Sequence, residues 1–297
     1  MPEQVEFLPR KEILAFEEIT RACRIMSRLG VDKIRLTGGE PLVRKDLDQL
    51  VGELKSIEGI SEIALTSNAV LLEKYAERLK QAGLDRINIS LDSIDPATYR
   101  EVTRRDNLKD VLQGIAAAQQ AGFENIRINA VGVSLLSKTS IIQLASFCFQ
   151  HNLHLRFIEF MPLDGDQNWR NDSVLNGKQI LETLVAEFGV AEPVVRVDAS
   201  QPASDYRFRD GTIGLINSIS EPFCANCNRL RMTAEGKLHN CLFSTEEFDL
   251  RDLLRGDADD NAIQQQIIEC VQAKKQGHGI NSDDFVRPQR AMYQIGG

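Results

Sequence analysis

The chain has 297 residues and a formal net charge of −8, with 42% hydrophobic and 26% charged residues. This is the composition of a soluble globular protein that can bury a large core. The acidic balance argues against a nucleic acid or an anionic membrane as partner, because either requires a basic field. No secretory signal is visible, so we expect a cytoplasmic location and reduced thiols for the six cysteines.

The first half of the chain alternates between helix-type and strand-type periodicity. Helices that end on glycine lead through a charged pair into β-branched strands, a layout that occurs at Gly30, Gly83 and Gly122. The pattern predicts helices over 11–29, from 46, over 72–82, 97–120 with a break at 106–107, and 139–150; strands are predicted over 31–37, 62–66, 85–91, 125–133 and 153–160.

Successive βα units of this kind predict an α/β fold with a parallel sheet, either a barrel or a doubly wound sheet. Polar residues follow nearly every strand, which favours a barrel with its site at the carboxyl ends of the strands. Five strands cannot close a barrel, and no strand precedes the first helix. We therefore expect an incomplete parallel (βα) barrel that lacks its first strand.

After Met161-Pro162 the pattern changes to α+β, which predicts two domains, residues 1–162 and 163–297. We expect this second part to add no sixth or seventh barrel unit. The predicted elements are a loop over 163–176, a helix over 177–188, a hairpin over 206–220 that turns at Asp210-Gly211, a turn at 234–236, and helices over 250–255 and 260–274.

Three cysteines in the second part have the spacing of a metal site. Cys224 and Cys227 are separated by two residues, and we expect Cys241 to return on a neighbouring strand. Arg229 and Arg231 alternate on a predicted strand, so both should point to one face. Guanidinium groups beside a metal are expected where a phosphorylated molecule is brought to that metal.

Spacing alone leaves the metal open. His239 lies two residues before Cys241 on the same predicted strand face, so Cys224, Cys227, His239 and Cys241 could bind zinc, which spacing favours. Three cysteines could equally hold an iron–sulfur cluster with one open iron. The paired arginines favour the cluster, because a structural zinc needs no anion grip. The remaining cysteines, Cys23, Cys148 and Cys270, lie in helical patterns and are predicted to be packed thiols.

Several polar groups lie near the predicted barrel mouth. Gly38-Gly39-Glu40-Pro41 follows the first strand, where two glycines allow close approach of a ligand or merely form a turn. Arg35 and Arg127 lie inside apolar strands, so each needs a partner. That partner is either a phosphate or a protein carboxylate such as Glu159.

These residues resemble the GTP 3′,8-cyclase family, radical S-adenosylmethionine enzymes of molybdenum cofactor biosynthesis. The resemblance runs in order from Met1 to Gly297. Its specific parts are the cysteine set with Asn-Arg-x-Arg and the Gly-Gly end, while Gly-Gly-Glu-Pro belongs to the superfamily at large. The matching segments are Ile34–Pro41, Thr66–Asn68, Asn88–Asp92, Arg156–Met161, Phe223–Arg231 with Cys241, and Gly296-Gly297.

The resemblance implies an incomplete (βα)₆ barrel followed by an α+β C-terminal cluster domain. It implies conversion of GTP to (8S)-3′,8-cyclo-7,8-dihydroguanosine 5′-triphosphate, after a 5′-deoxyadenosyl radical removes the C3′ hydrogen. Cys224, Cys227 and Cys241 would hold a [4Fe–4S] cluster whose free iron binds guanine. The other implied contacts are Arg35, Thr66, Arg127, Arg229, Leu230 and Arg231 to GTP, Gly39, Ser90 and Met161 to S-adenosylmethionine, and a tail of Gly296 and Gly297 in the active site.

The resemblance also implies partners: an electron donor such as flavodoxin or ferredoxin, the next enzyme of the pterin pathway, and a second copy in a homodimer. The family carries another [4Fe–4S] cluster on a Cys-x₃-Cys-x₂-Cys loop, and those ligands are absent from this sequence. Arg127 stands where lysine is common and Ala69 where glycine is usual. We expect a truncated family member that binds the C-terminal cluster and GTP without turning GTP over.

Two rival functions have their own expectations. In the first, the chain is a non-catalytic remnant that binds GTP and holds zinc in the cysteine set. In the second, it is another radical S-adenosylmethionine enzyme with an auxiliary cluster, acting on a peptide or another small substrate.

Overall fold

The computed structural model describes residues 8–163, 169–280, 282 and 285–296. Part of the predicted loop, residues 164–168, lies outside this range. The helices are α1 (Phe16–Arg28), α2 (Leu47–Lys55), α3 (Leu72–Gln81), α4 (Pro96–Thr103), α5 (Leu108–Gln120), α6 (Lys138–Gln150), α7 (Gly177–Phe188), α8 (Arg251–Arg255), α9 (Asp260–Gln272) and α10 (Met292–Ile295). The strands are β1 (Lys33–Leu36), β2 (Glu62–Ser67), β3 (Arg86–Ser90), β4 (Arg127–Gly132), β5 (His154–Glu159), β6 (Glu192–Pro193), β7 (Ser204–Phe208), β8 (Gly211–Ile216), β9 (Arg231–Met232), β10 (Lys237–His239) and β11 (Phe248–Asp249).

The elements predicted for the first half are present, including the break between α4 and α5. One boundary was wrong, because α1 begins at Phe16 instead of Lys11 and residues 10–12 form a separate 3₁₀ turn. The cause is tertiary. Arg255 donates from Nη1 to the Lys11 carbonyl (2.7 Å) and from Nη2 to the Ile13 carbonyl (3.0 Å), so these carbonyls are satisfied outside a helix.

Helix α2 was predicted to start at residue 46, but the side chain of that residue does not cap it. Asp46 occupies the N-cap position in a left-handed conformation (φ +57°), and its side chain makes no capping hydrogen bond. A residue with positive φ directs its carboxylate away from the geometry that a cap requires. The helix itself forms as predicted, with Leu47, Leu50, Val51 and Leu54 buried.

The chain divides into two compact units. The first contains Met1–Thr66, Glu77–Arg86 and Asn228–Gly297, and the second contains Ser67–Ala76 and Ile87–Cys227. The predicted domains, residues 1–162 and 163–297, stay a prediction.

The first unit joins the two ends of the sequence. Strands β1 and β2 are parallel, and β11, β10 and β9 form an antiparallel sheet. The apolar face of α1 packs against residues from β10, α8 and α9, so residues far apart in sequence share one core. That core consists of Leu14, Ala22, Ile25, Met26, Leu238, Leu250, Leu254, Ile263, Ile267 and Cys270.

The second unit contains a sheet with the order β3-β4-β5-β8-β7-β6. Strand β8 is parallel to β5, with Leu155 opposite Ile213, and antiparallel to β7. The predicted hairpin is therefore present, and its second strand, β8, also extends the parallel part of the sheet, which the sequence pattern did not predict. Helix α7 packs on α6, where the rings of Phe149 and Phe188 meet at 5.2 Å. Because α7 lies in the connection between β5 and β8, this packing lets β8 run parallel to β5.

The predicted α/β class is confirmed by these parallel strands. No closed ring of strands occurs within the described residues. The helices of the described part are also all too short or too polar to cross a membrane.

Candidate functional site

The first two cysteines of the predicted metal site share one turn. Residues Cys224–Asn226 form a 3₁₀ turn, and the Cys227 amide donates to the Cys224 carbonyl at 3.1 Å. This is the local geometry that a C-x-x-C spacing predicts, because a single tight turn brings both sulfurs to one side. Both side chains are partly exposed.

The loop before this turn is held by Glu159, at the end of β5. Its Oε2 accepts from the amides of Ile219 (2.7 Å) and Ser220 (2.9 Å). The residue is 4% exposed, and buried carboxylates require such partners. Glu159 therefore fixes the segment that leads to Cys224.

The third cysteine, Cys241, does not lie on a strand as predicted. Strand β10 ends at His239, and Cys241 follows in a turn. In this turn the Cys241 carbonyl accepts a hydrogen bond from the Ser244 amide at 3.2 Å. The Phe243 amide lies 3.5 Å from Cys241 Sγ and donates to it. Hydrogen bonds of this kind also surround the sulfurs of metal–sulfur centres.

Arg229 and Arg231 were predicted on one strand face, but only Arg231 lies on a strand. Arg231 begins β9, paired with His239, whereas Arg229 precedes the strand. The reason is that β9 has two residues, too few to include both positions. The Lys274 ammonium instead holds the backbone before β9, because it donates to the carbonyls of Arg229 (2.9 Å) and Asn240 (2.8 Å).

Lys274 was missed in the sequence. It lies just beyond the end of α9, where a lysine is ordinarily explained by the helix dipole. Nothing in the local pattern indicates that its side chain bridges two carbonyls separated from it by more than thirty residues.

The end of the chain reaches Arg231. The Gly296 carbonyl accepts a hydrogen bond from Arg231 Nη1. Gly296 has φ +79°, and a Cβ built on it would lie 2.5 Å from Thr37 Oγ1, just after β1. The tail, the arginine and the end of β1 therefore meet in the first unit. The other predicted tail residue, Gly297, lies outside the described residues.

His239, the alternative zinc ligand, is 2% exposed. Its Nε2 lies 3.6 Å from Glu247 Oε1, and neither ring nitrogen makes a hydrogen bond in the described part. Burial lowers the pKa of His239, although the Glu247 carboxylate acts in the opposite direction. Cys241 lies beyond the end of the strand that carries His239, so the predicted common strand face is absent.

The described part of the chain contains no group of three or more His, Cys, Asp or Glu side chains that could hold a metal ion. The cysteine set is divided between the two units, with Cys224 and Cys227 in the second and Cys241 in the first. Two local features suit a metal–sulfur centre. They are the partly exposed Cys224–Cys227 turn and the amide donor to Cys241.

The three remaining cysteines are packed thiols, as predicted. Cys23, Cys148 and Cys270 are all buried. Burial raises the pKa of Cys23 to about 12 and that of Cys270 to about 11, and it also raises the pKa of Cys148. These groups stay protonated at neutral pH, so they are poor metal ligands.

The residues that the resemblance assigns to S-adenosylmethionine lie at strand ends. Ser90 ends β3 and is exposed, and Met161 follows β5. Gly39 follows β1 in the first unit, next to Gly38, whose φ is +146°. The next residue, Glu40, caps a 3₁₀ turn by accepting from the Leu42 amide at 3.0 Å.

The remaining predicted GTP contacts occupy different parts of their strands. Arg35 lies in β1 and Thr66 near the end of the adjacent β2, whereas Arg127 begins β4. Leu230 packs against the core of the first unit. The assignments of these side chains to GTP stay predictions.

The sequence of the chain matches two family models in succession. Residues 3–148 match the Radical SAM superfamily, and residues 153–280 match Molybdenum Cofactor Synthesis C. A radical S-adenosylmethionine enzyme of molybdenum cofactor synthesis is therefore the class that the two family matches define.

Individual sequence relatives identify the family within this class. The GTP 3′,8-cyclase of Rhodopirellula baltica is 47% identical over 303 residues, covering 100% of this chain and 84% of that protein. The GTP 3′,8-cyclase of Mycolicibacterium smegmatis is 44% identical over 302 residues, covering 99% and 83%. The chain belongs to the GTP 3′,8-cyclase family.

Solved structures support the fold. The structure of Streptococcus suis SuiB bound to S-adenosylmethionine superimposes with a TM-score of 0.59 at 15% identity, covering 88% of this chain and 62% of that one. SuiB bound to its precursor peptide gives 0.58 at 16% identity, covering 91% and 60%. This chain thus spans less than two thirds of either solved chain, and the similarity concerns the fold alone.

Proposed function

We propose that this chain binds GTP through Arg231 and Arg229 for 3′,8-cyclisation of the nucleotide. The observation that carries the proposal is the meeting of Arg231, Gly296 and Thr37 in one unit. In the family resemblance these positions belong to the GTP grip, the active-site tail and the end of a barrel strand. Their contact is what a shared site requires.

The net charge of −8 makes a local cation necessary for binding a triphosphate. A guanidinium presents N–H donors in a planar fork that matches phosphate oxygens. The Lys274 contacts to the carbonyls of Arg229 and Asn240 hold the backbone beside Arg231 and Cys241. This support restricts where the arginine side chains can reach, which favours a defined nucleotide pose.

Cys224, Cys227 and Cys241 would hold the C-terminal [4Fe–4S] cluster in this proposal. When bound, it would supply an open iron to which the guanine of GTP can coordinate. The support from this chain is the partial exposure of the three thiols, the Cys224–Cys227 turn and the amide donor to Cys241.

We propose further that residues 1–297 alone bind GTP without converting it. Radical S-adenosylmethionine chemistry requires a cluster that cleaves the cofactor. The cysteines outside the C-terminal set are Cys23, Cys148 and Cys270, which do not have the Cys-x₃-Cys-x₂-Cys spacing and are buried. Gly39, Ser90 and Met161 remain the proposed contacts for S-adenosylmethionine.

The partners that go with this function are proposals as well. They are a flavodoxin-type or ferredoxin-type electron donor, the next enzyme of the pterin pathway, and a second copy of the chain. A reducing cytoplasm suits free thiols that serve as cluster ligands.

The test is a GTP titration of anaerobically reconstituted protein by calorimetry. Arg231→Ala should weaken GTP binding by about ten- to a hundredfold, the range for losing hydrogen bonds to a charged group. The matched control is Arg100→Ala, which removes an exposed guanidinium paired with Asp106 and should leave the affinity unchanged. Equal GTP affinity in wild type and Arg231→Ala would contradict the proposed site.

The same preparations should be incubated with S-adenosylmethionine and a reductant. We expect no 5′-deoxyadenosine from residues 1–297. Its formation would refute the proposed lack of turnover and leave the GTP site intact. Binding of a peptide in place of GTP would favour the rival peptide-modifying function.

A further inference from the structure

Arg290 directly precedes the C-terminal segment, residues 291–296, and contacts two carboxylates. Its Nη1 lies 2.5 Å from Glu235 Oε1, its Nη2 lies 3.1 Å from Glu247 Oε2, and its Nε donates to Glu247 Oε1. The contact with Glu247 is bidentate, which is the strongest geometry for this pair of groups. The Arg290 side chain is only 26% exposed, so solvent screens the contacts incompletely.

The two carboxylates belong to the sheet that carries Arg231. Glu235 lies in the turn between β9 and β10, and Glu247 directly precedes β11. Hydrogen bonding to Arg290 lowers the pKa of Glu247, and hydrogen bonding to Glu247 raises the pKa of Arg290. Both groups therefore remain charged across the neutral range.

The segment that follows Arg290 is short and held at its far end. Ala291 precedes α10, and Ile295 is 2% exposed. Gly296 then meets Arg231 and Thr37. A helix of four residues has no independent stability, so its position depends on its contacts.

We propose that Arg290 is a positioning residue that anchors the C-terminal tail to the β9–β10–β11 sheet. Through this anchor it holds the Gly296 carbonyl against Arg231. Only the expected effect of this anchor on GTP binding rests on the proposed function. The anchoring itself concerns this chain's own residues.

The first test measures the tail directly, without GTP. Carboxypeptidase trimming of the C-terminus, followed by intact mass, should be about tenfold faster in Arg290→Ala than in wild type. Arg290→Lys keeps the charge but loses the fork, so it should fall between the two. Arg209→Ala, which removes an exposed arginine beside Asp210, is the matched control and should match wild type.

Hydrogen exchange separates anchoring from general destabilisation. In Arg290→Ala, peptides that cover 288–296 should exchange faster, while peptides from α9 should keep their wild-type rates. Unchanged trimming and unchanged exchange in 288–296 would overturn the proposal. So would equal acceleration in α9, because Arg290 would then stabilise the whole unit. If Arg290→Ala fails to fold, Glu247→Gln keeps the side-chain shape, removes the charge and should accelerate trimming in the same direction.

The consequence for GTP is measured separately. Arg290→Ala should weaken GTP binding by about threefold, less than Arg231→Ala, because it acts through the tail. Failure of the wild type to bind GTP would remove the proposed function and leave the trimming result to decide the anchor. Normal trimming of Arg290→Ala with intact GTP binding would remove only the anchor.

Discussion

The six cysteines of the chain form two groups of three that differ in their surroundings. Cys23, Cys148 and Cys270 lie on the buried faces of α1, α6 and α9. Those of the C-terminal set, Cys224, Cys227 and Cys241, lie in turns and are partly exposed. The same side chain is therefore a buried packing element in one group and a partly exposed thiol in the other.

The buried position of the first group makes it costly to charge its sulfurs. An apolar helix interface penalises a thiolate, and the raised pKa values of Cys23 and Cys270, about 12 and about 11, express that penalty. In a turn, backbone amides are available as donors, as the Phe243 amide is to Cys241. Metal ligation requires the thiolate, so burial makes the thiols of the first group poor ligands.

The largest expected difference between the two groups is in iron content. Cys224→Ala should reduce iron after anaerobic reconstitution from about four atoms per chain to near zero. Cys148→Ala should retain full iron, because its sulfur is buried in α6. The measurement is metal and sulfide analysis with the visible absorption spectrum. One tightly bound zinc in the wild type, lost in a His239→Ala variant, would instead support the zinc alternative.

A smaller difference is expected in alkaline stability. The raised pKa of Cys23 means that the folded state holds its proton where the unfolded chain releases it. The contribution of the protonated Cys23 thiol to the free energy of unfolding is fully present below pH about 9. It is lost as the pH rises towards about 12, by at most about 4 kcal/mol. Denaturant unfolding between pH 8 and 11 should show a steeper decline in wild type than in Cys23→Ala. Parallel declines in both proteins would refute the assignment.

The smallest expected difference is in the cost of serine substitution without metal. Cys148→Ser places a hydroxyl where the residue has 0% exposure, which should lower the free energy of unfolding by about 1–3 kcal/mol. Cys224→Ser, at a partly exposed position, should change it by less than about 0.5 kcal/mol. Urea titrations of metal-free protein provide both values. Similar losses at the two positions would mean that the cysteines differ less in packing than the structure indicates.

Much of the fold was predictable because its signals are local. Apolar periodicity predicted α2 through α7 and β1 through β5 to within a few residues. The C-x-x-C spacing predicted the Cys224–Cys227 turn, and helical patterns predicted the packed cysteines. Family resemblance identified the chemistry of the class, which no periodicity contains.

The errors occurred where a distant partner decides the local structure. The parallel pairing of β8 with β5 depends on the packing of α7 against α6, which a hairpin signal does not report. The start of α1 depends on Arg255, more than two hundred residues away. Arg229 and Cys241 fall outside β9 and β10, where the Lys274 ammonium binds the carbonyls of Arg229 and Asn240.

By itself, the sequence determined most of the secondary-structure elements, the spacing of the cysteines that are proposed as ligands, and the family. Only the tertiary structure decided that Gly296 lies against Arg231 and Thr37, and that Arg290 contacts both Glu235 and Glu247. Residues so far apart in the chain meet only after a core has formed, because the entropy of closing such loops is offset by buried contacts elsewhere. Here that core is the packing of α1 against β10, α8 and α9.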